Sequence, residues 1–354
     1  MRWTAWTLLW WGLLGAQPGV AGERAFMTGV DANYALQQAD RTWSVGRREV
    51  DPIEALARAG ADTFRVRLWT GDDGPNGLRY ATETALRAQA AGMRPYVVLF
   101  LSDGWADFVK QPAPAQWADL PYDDKVAAVE AYAAKATQHM LDAGVDVDLF
   151  EIGNEIDFGV CGEFEEDWAK RVSVDYMRAA IWPRMAPILA AAQRGVRRAR
   201  PDARFILHLA RWSDPDYGVA FWQAMQAQGV TVDLAGLSYF PSSDGSELPA
   251  LMAHARTLRA ALDRAVVLCE TGYPSQPAFP GQFAAWNRPV VGYQLDERGQ
   301  AAWLRDLLRA ARASDDIAGA FYWSPEWLGS GMWDAFALFR PEGTARPALR
   351  SLRR

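Results

Sequence analysis

Two glutamates with similar settings in the chain could take part in one reaction. Glu155 stands in a Gly-Asn-Glu motif just after the apolar run Leu149–Ile152, with Asn154 before it, and Glu270 directly follows the run Ala265–Cys269. Hydrolysis of a glycosidic bond uses such a pair, because one carboxylic acid protonates the leaving oxygen while one carboxylate attacks carbon or activates water. A salt-bridged structural role is the alternative for either glutamate alone. Together with Asn154, the pair indicates a catalytic centre.

Two arginines are the next candidates for that centre. The segment Phe64–Trp69 alternates apolar and polar residues, which places Arg65 and Arg67 on the face opposite the apolar side chains. We expect the apolar face to contact helices, so both guanidinium groups would point into the interior, where each needs an anionic partner. Glu270 is one candidate partner, which would stay ionised beside an arginine. Asp31 is the alternative partner.

Other hydrogen-bonding and aromatic residues follow similar apolar runs. His208 is either a satisfied core histidine or a contact to substrate or Glu155. We expect the Tyr239 hydroxyl to donate to Glu270, and Trp323 to stack beside the reacting sugar. The residues of this group are Asp31, Asn33, Ser102, Asp103, Gly104, Trp105, His208, Ser238, Tyr239 and Trp323.

The elements that must position these residues alternate along the chain. Short apolar runs are separated by loops and by Ala/Leu/Arg-rich segments of helical period, which predicts parallel strands with crossover helices. Eight runs in a chain of 354 residues predict a single (β/α)8 TIM barrel, over residues 23–354, with its active site at the carboxyl ends of the strands. An open doubly wound sheet is the alternative, disfavoured because no Gly-rich phosphate loop follows the first run. The predicted strands are Phe26–Ala32, Thr63–Leu68, Arg94–Leu101, Leu149–Ile152, Arg204–Leu209, Asp233–Ser238, Ala265–Cys269 and Ala318–Tyr322.

Tryptophan is unusually frequent, with 17 residues in the chain. Thirteen of them follow the first eleven residues, and each is either a core residue or a flat surface for stacking a sugar ring. Their positions predict a rim group for stacking and a packing group. The rim group is Trp69, Trp105, Trp212, Trp286, Trp323, Trp327 and Trp333, and the packing group is Trp43, Trp117, Trp168, Trp182, Trp222 and Trp303.

The first 22 residues are typical of a signal peptide. One arginine precedes an apolar stretch too short to span a bilayer, and small residues end it at 20–22. We therefore expect a secreted or periplasmic protein with no membrane partner after cleavage, a non-cleaved anchor being the alternative. Two cysteines, Cys161 and Cys269, form no disulfide framework and are expected to be buried thiols.

Composition also limits the partners. The net charge of −6 argues against a nucleic-acid partner, which would require a basic face. Three histidines and no metal-ligand spacing predict neither a metal centre nor a cofactor. We expect a monomer that acts on a polysaccharide or oligosaccharide.

At these residues the sequence resembles glycoside hydrolase family 53, the arabinogalactan endo-β-1,4-galactanases, as a divergent member. The resemblance extends over about 28–347. The Asn-Glu pair and the later Glu are common to a large clan of barrel enzymes, whereas the run Ser102–Asp107 is more specific to the family. The matching motifs are Gly29–Asp31, Arg65–Trp69, Ser102–Asp107, Ile152–Ile156, His208–Ala210, Leu237–Pro241, Glu270–Pro274 and Tyr322–Trp327.

The resemblance implies an exported endo-hydrolase of β-1,4-galactan. Glu155 would be the acid/base and Glu270 the nucleophile of a double displacement that retains anomeric configuration. Asn154 would hold the sugar 2-hydroxyl, and Arg65 would lie beside the nucleophile. The full set of predicted substrate contacts is Asn154, Arg65, Arg67, Asp103, Trp105, His208, Tyr239, Trp323 and Trp327.

Four positions depart from the family pattern, namely Phe100, Leu101, Cys161 and Ser324. They leave both glutamates in place and leave open which polymer is cleaved. The alternatives are the same mechanism on an exopolysaccharide, mannan or glucan, or a barrel that binds glycan without cleaving it. Retention of both glutamates and Asn154 disfavours the silent barrel.

Overall fold

A computed structural model describes residues 26–353, and the predicted signal segment 1–22 lies outside this range. Eight parallel strands close into one barrel in chain order, which confirms the predicted (β/α)8 fold. Every predicted strand is present, with ends displaced by at most two residues. The strands are β1 Met27–Asp31, β2 Thr63–Leu68, β3 Arg94–Leu99, β4 Leu149–Ile152, β5 Arg204–Leu209, β6 Leu234–Tyr239, β7 Val266–Thr271 and β8 Ile317–Trp323.

Seven helices of eight or more residues surround the barrel within residues 26–353. They are α1 Pro52–Ala59, α2 Leu78–Ala90, α3 Tyr122–Asp142, α4 Trp182–Ala199, α5 Pro215–Ala227, α6 Leu248–Leu262 and α7 Glu297–Arg312. A short 3-10 helix, Pro347–Leu352, follows β8 and packs on α1 and α7 in the place of an eighth crossover helix. None of the helices in 26–353 combines the length and apolarity that a membrane span requires.

Smaller elements occupy the connections. Strand pairs Ser44–Val45 with Arg48–Glu49 and Gly159–Val160 with Glu163–Phe164 form two small antiparallel sheets. One-turn elements are Ala35–Gln38, Trp168–Arg171, Val174–Tyr176, Met177–Ile181 and Pro241–Ser243. The long connection after β7, residues 272–296, has no helix or strand, as expected from its proline and glycine content.

Strand alternation divides the core into two layers. Phe64, Val66 and Leu68 of β2 belong to the large apolar cluster between barrel and helices. Arg65 and Arg67 point the other way and are completely buried inside the barrel, as the alternation predicts. The packed apolar face of β2 therefore holds the two arginines in fixed positions inside the barrel.

Below the arginines, a second apolar cluster fills the barrel. Tyr96, Val98, Ile206, Val267 and Phe321 meet there, and the Tyr96 and Phe321 rings pack edge to face with centroids 4.8 Å apart. Interior residues of this size leave no through-channel, in keeping with the layered cores of such barrels. The floor of the site is thus a packed hydrophobic layer.

One interior position requires glycine for close packing. Gly29 of β1 pairs in register with Phe321 of β8, and a Cβ atom at residue 29 would overlap the Phe321 ring. Overpacking in a rigid core costs about 1–3 kcal/mol. We expect Gly29→Ala to lower the free energy of unfolding by about this amount in urea denaturation.

Gly104→Ala is the matched control, because a Cβ there meets nothing within 4 Å. Equal stability of the two variants would show that the barrel relaxes freely around Phe321.

Candidate active site

Both predicted glutamates open into one cavity at the carboxyl end of the barrel. Glu270 lies within β7, and Glu155 lies three residues beyond β4 with a left-handed backbone, φ 46°. Each is nearly buried, and both line a cavity of about 510 Å³. A non-glycine residue held in this backbone region is a feature that often accompanies functional sites.

Arg65 connects the strands beneath the cavity. Its Nη1 donates to Asp31 at 2.7 Å and to Glu270 at 2.8 Å, so both predicted partners are present. Its Nε and Nη2 form a two-pronged contact with Glu151 at 3.1 and 2.6 Å. Sequence analysis missed Glu151, although the alternation of Leu149–Ile152 places it on the interior face.

Asn154 is fixed by contacts to the protein at both ends of its amide. Its Oδ1 accepts from Arg65 Nη2 at 2.7 Å, and its Nδ2 donates to the Ala106 carbonyl at 2.9 Å. The orientation of the amide is thus set by a cation on one side and a carbonyl on the other. One N–H of Nδ2 remains for a further acceptor.

The two cavity glutamates differ in their electrostatic environment. Burial, followed by the charge of Glu270, raises the pKa of Glu155 well above its usual range. Burial also raises the pKa of Glu270, but the Arg65 and Arg67 guanidinium groups oppose this shift. When the pair holds a single proton, that proton therefore lies on Glu155, and the Arg65 cation stabilises Glu270 as the anion.

Aromatic side chains make most of the cavity wall. Six of the seven predicted rim tryptophans line it, and sequence analysis missed the contributions of Tyr34, Phe108, Phe240 and Phe283. The aromatic lining residues are Tyr34, Trp69, Trp105, Phe108, Phe240, Phe283, Trp286, Trp323, Trp327 and Trp333.

Arg67 supports three of these rings from below. Its guanidinium carbon lies 5.0 Å from the Tyr34 ring, 5.2 Å from Trp105 and 5.0 Å from Trp323. It also pairs with Asp31 at 2.6 Å. Arg67 is completely buried and lines no part of the cavity, so it stabilises the aromatic wall from beneath.

Two expectations for tryptophan are wrong. Trp212 was expected at the rim, but it packs edge to face on Tyr239, with ring centroids 4.9 Å apart. Trp168 was expected in the core, but 57% of its surface is exposed, with one edge on Phe158. The exposure follows from its place in a one-turn helix at the outer surface of the β4–α4 connection, where little else packs on it.

The expected bond from Tyr239 to Glu270 is also wrong. Tyr239 points outward, in step with Leu237, and its hydroxyl donates to the Ser246 carbonyl at 3.3 Å. Ser238 takes the inward position, and its Oγ lies 2.5 Å from Glu155 Oε1. Period-two alternation from Leu237 would have identified Ser238.

His208 and Asp103 do not reach the cavity either. The buried His208 ring lies between Glu151 and Ser238, so it approaches Glu155 only through that serine. Asp103 accepts from the Thr70 hydroxyl and from the Ala115 amide at 2.7 Å. It therefore ties together two connections and does not line the cavity.

The four departures from the family pattern also lie away from the cavity wall. Ser324 accepts from Arg67 Nη2 at 2.8 Å, and Phe100 packs beneath Trp105 with centroids 5.6 Å apart. Leu101 is a core residue, and Cys161 and Cys269 are both free buried thiols. Ser324 and Phe100 thus contact Arg67 and Trp105 respectively, and none of the four positions lines the cavity.

Three buried groups, Glu151, His208 and Cys269, lie close enough to one another to suggest a metal site. However, Arg65 Nη2 lies 2.6 Å from Glu151 and 3.5 Å from His208 Nδ1. A guanidinium already supplies the positive charge at this point. The cluster is explained as the surroundings of a buried arginine.

Glu326 is a further buried carboxyl that sequence analysis did not single out. Its Oε1 accepts from the Tyr34 amide at 2.7 Å, and its Oε2 has no partner within residues 26–353. Burial raises its pKa to about 8. Glu326 therefore holds the Tyr34 backbone as a neutral acid near pH 7, beside the stacked rings of Tyr34 and Trp327.

Comparison with known proteins gives consistent results. The family model described as glycosyl hydrolase family 53 matches residues 27–352. An endo-β-1,4-galactanase of Bacillus subtilis (strain 168) is 28% identical over 324 residues, covering 86% of this chain and 71% of the relative. The GH53 catalytic domain of Ignisphaera aggregans superposes with a TM-score of 0.80 at 27% identity, covering 95% of this chain and 97% of that one. A fungal β-1,4-galactanase superposes with a TM-score of 0.78 at 26% identity, covering 92% and 98%.

The buried acid Glu326 predicts a pH-dependent stability. Between its unfolded pKa of 4.5 and its folded pKa of about 8, the folded state binds a proton that the unfolded state has lost. This linkage costs at most about 1.4 kcal/mol per pH unit as pH rises through that window. We expect Glu326→Gln to gain stability over the parent chain increasingly from pH 5 to pH 8, in urea denaturation at several pH values.

The exposed Glu83→Gln variant controls for loss of charge alone. A Glu326→Gln advantage that is constant with pH would contradict a neutral Glu326.

Proposed function

The chain belongs to glycosyl hydrolase family 53 and is a glycosidase, and on that basis we propose that it is a retaining endo-β-1,4-galactanase with Glu155 as acid/base and Glu270 as nucleophile. The proposal rests on the different hydrogen-bond partners of the two carboxyls in the cavity. Arg65 donates directly to Glu270, whereas the neutral hydroxyl of Ser238 contacts Glu155. A glycosidase needs this division, with one ionised and one protonated carboxyl.

The first step breaks the glycosidic bond. Glu155 donates its proton to the glycosidic oxygen, and a carboxylate oxygen of Glu270 forms a covalent bond to the anomeric carbon from the opposite face. We assign to the remaining N–H of the buried Asn154 amide a bond to the sugar 2-hydroxyl, which the family resemblance implies. Arg65 orients that amide and Glu270 together, since it contacts both.

The second step returns both carboxyls to their starting states. Glu155, now ionised, takes a proton from a water molecule that attacks the anomeric carbon and displaces Glu270. Two inversions leave the configuration unchanged. As Glu270 leaves, Arg65 stabilises its returning negative charge.

The aromatic wall supports a carbohydrate substrate. Sugar rings present apolar faces of C–H groups, and the rings of Trp105, Trp323 and Trp327 provide flat surfaces beside the two glutamates. Trp105 is held by a hydrogen bond from its Nε1 to Asp107 at 2.8 Å. We assign the stacking role to these three tryptophans.

Galactan is the substrate favoured by the relatives, two of which carry β-1,4-galactanase names. The position of the four sequence departures supports this choice, because none of them lines the cavity. The proposal further includes export, on the strength of the signal-like residues 1–22.

Removal of either proposed catalytic group should abolish turnover without unfolding the barrel. We expect Glu155→Gln and Glu270→Gln each to lower kcat by at least about 10³-fold, since one loses the proton donor and the other loses the nucleophile. Initial rates on soluble β-1,4-galactan and thermal unfolding of each variant measure the two effects.

Glu163→Gln is the matched control. Like Glu155, Glu163 lies in the connection after β4, but it pairs with Lys125 at 3.0 Å and does not line the cavity. It should keep the parental kcat. Parental rates in both cavity variants would refute the assignment.

The substrate and the stereochemistry have their own test. Purified enzyme is incubated with β-1,4-galactan, β-1,4-mannan and a β-1,4-glucan, and the first products are followed by proton NMR. We expect a series of oligosaccharides from galactan alone, with β-anomers formed first. Faster cleavage of mannan or glucan would exclude galactan as the preferred polymer, and α-anomers formed first would exclude retention.

A further inference from the structure

A continuous chain of hydrogen bonds runs from the proposed acid/base to a buried ion pair. Glu155 Oε1 lies 2.5 Å from Ser238 Oγ, Ser238 Oγ lies 2.9 Å from His208 Nε2, and His208 Nδ1 lies 2.9 Å from Glu151 Oε1. All four side chains are buried. Glu151, His208 and Ser238 lie on the neighbouring strands β4, β5 and β6, and Glu155 follows β4. The geometry of these strands therefore sets the spacing of the four side chains.

The Glu151 end of the chain is fixed in one protonation state. Contact with the Arg65 guanidinium lowers the pKa of Glu151 to about 2 despite its burial, so the carboxylate can only accept hydrogen bonds. The neighbouring Arg65 Nη2 already donates to Glu151 and to Asn154. His208 Nδ1 must therefore carry a hydrogen that points to Glu151.

The other end has two states, because the proposed reaction alternately protonates and ionises Glu155. When Glu155 is a carboxylic acid, its O–H can donate to Ser238 Oγ, and the Ser238 hydroxyl can then donate to the bare Nε2 of neutral His208. When Glu155 is ionised, the Ser238 hydroxyl must donate to it, because two acceptors would otherwise face each other at 2.5 Å.

The reversed hydroxyl gives up its bond to His208 Nε2. With the Ser238 hydrogen turned to Glu155, Nε2 meets only an oxygen lone pair. The proton that Glu155 loses goes to the leaving oxygen, so His208 stays neutral in both states. Turning the hydroxyl therefore exchanges the bond at Nε2 for a bond to the Glu155 carboxylate.

We propose that Ser238 is a positioning residue that serves Glu155 in both of its states, accepting from the acid and donating to the carboxylate, and that neutral His208 accepts from the Ser238 hydroxyl at Nε2 while Glu155 is an acid. The inference rests on the proposed function of Glu155. A hydroxyl suits this place because it both donates and accepts. Alanine at residue 238 could do neither.

The charges around Glu155 explain why a reversible partner matters. Glu270, Asp107 and Asp157 all face it and disfavour its ionised form, whereas the Ser238 hydrogen bond lowers its pKa. Among these contacts, the hydroxyl is the one that stabilises the carboxylate left after the first step. Loss of the hydroxyl should therefore raise the pKa of Glu155 further.

The charges around His208 keep it neutral. Burial and the Arg65 cation lower its pKa, and this outweighs Glu151 and, more weakly, Asp31, which raise it. A neutral ring with its hydrogen on Nδ1 leaves Nε2 free to accept from the Ser238 hydroxyl.

The test is the pH profile of kcat/KM for the full chain on galactan, in the parent and in Ser238→Ala and Ser238→Thr. The basic limb reports loss of the Glu155 proton. We expect Ser238→Ala to move this limb to higher pH by about one unit and to lower kcat about 10-fold or more, and Ser238→Thr to restore both.

Ser242→Ala is the matched control. Ser242 is a buried serine four residues further along, and its Oγ has no partner within the part of the chain that the structure describes. It should leave the basic limb in place. A kcat loss in Ser238→Ala with an unmoved limb, or with no recovery in Ser238→Thr, would overturn the role of Ser238.

Further outcomes separate this inference from the proposed function. Ser238→Gly, which also lacks the hydroxyl, decides the matter if Ser238→Ala does not fold. Glu155→Gln is measured alongside. An active Glu155→Gln would overturn the proposed function itself, whereas an inactive one with an unmoved Ser238→Ala limb would overturn only this inference.

Discussion

The buried guanidinium of Arg65 is the interaction on which the rest of the site depends. It is completely enclosed, and it contacts carboxylates from β1, β4 and β7. A cation removed from water in this way is stable only while its anionic partners stay in place, and each partner depends on it equally. One side chain therefore fixes the relative positions of Asp31, Glu151 and Glu270 and orients the Asn154 amide.

The same cation makes two similar carboxyls chemically different. Burial raises the pKa of both Glu155 and Glu270, so burial alone would not assign their roles. Of these two glutamates, Arg65 contacts only Glu270, while Glu155 meets a hydroxyl whose hydrogen can turn. Since opposite charge favours ionisation, the roles proposed for the two carboxyls follow from their neighbours and not from residue type.

The aromatic wall is held by the second arginine and by the connections after β7 and β8. Arg67 lies beneath three rings, and Glu326 fixes the backbone of Tyr34 as a neutral acid. Trp333, which lines the cavity, stacks on Phe336 with centroids 4.3 Å apart. The polar centre and the apolar wall therefore meet at Arg67, which also contacts Ser324, one of the four departures from the family pattern.

The amino-acid sequence by itself determined the barrel, the two glutamates and the inward arginines. The reason is that side-chain alternation along a strand is a local pattern of polar and apolar residues with period two. The active site of such a barrel, in turn, lies at the carboxyl ends of its strands, which the sequence also locates. The same alternation places Ser238 and Glu151 on the interior face. Tyr239, the residue predicted from β6, lies on the opposite face of that strand. Only the tertiary structure decided which side chains meet in space. It showed that Asp31 and Glu270 share Arg65, that Trp212 packs outside the barrel and that Trp168 is exposed. Contacts between residues far apart in the chain depend on how loops and helices close over the strands, and no local pattern records that packing.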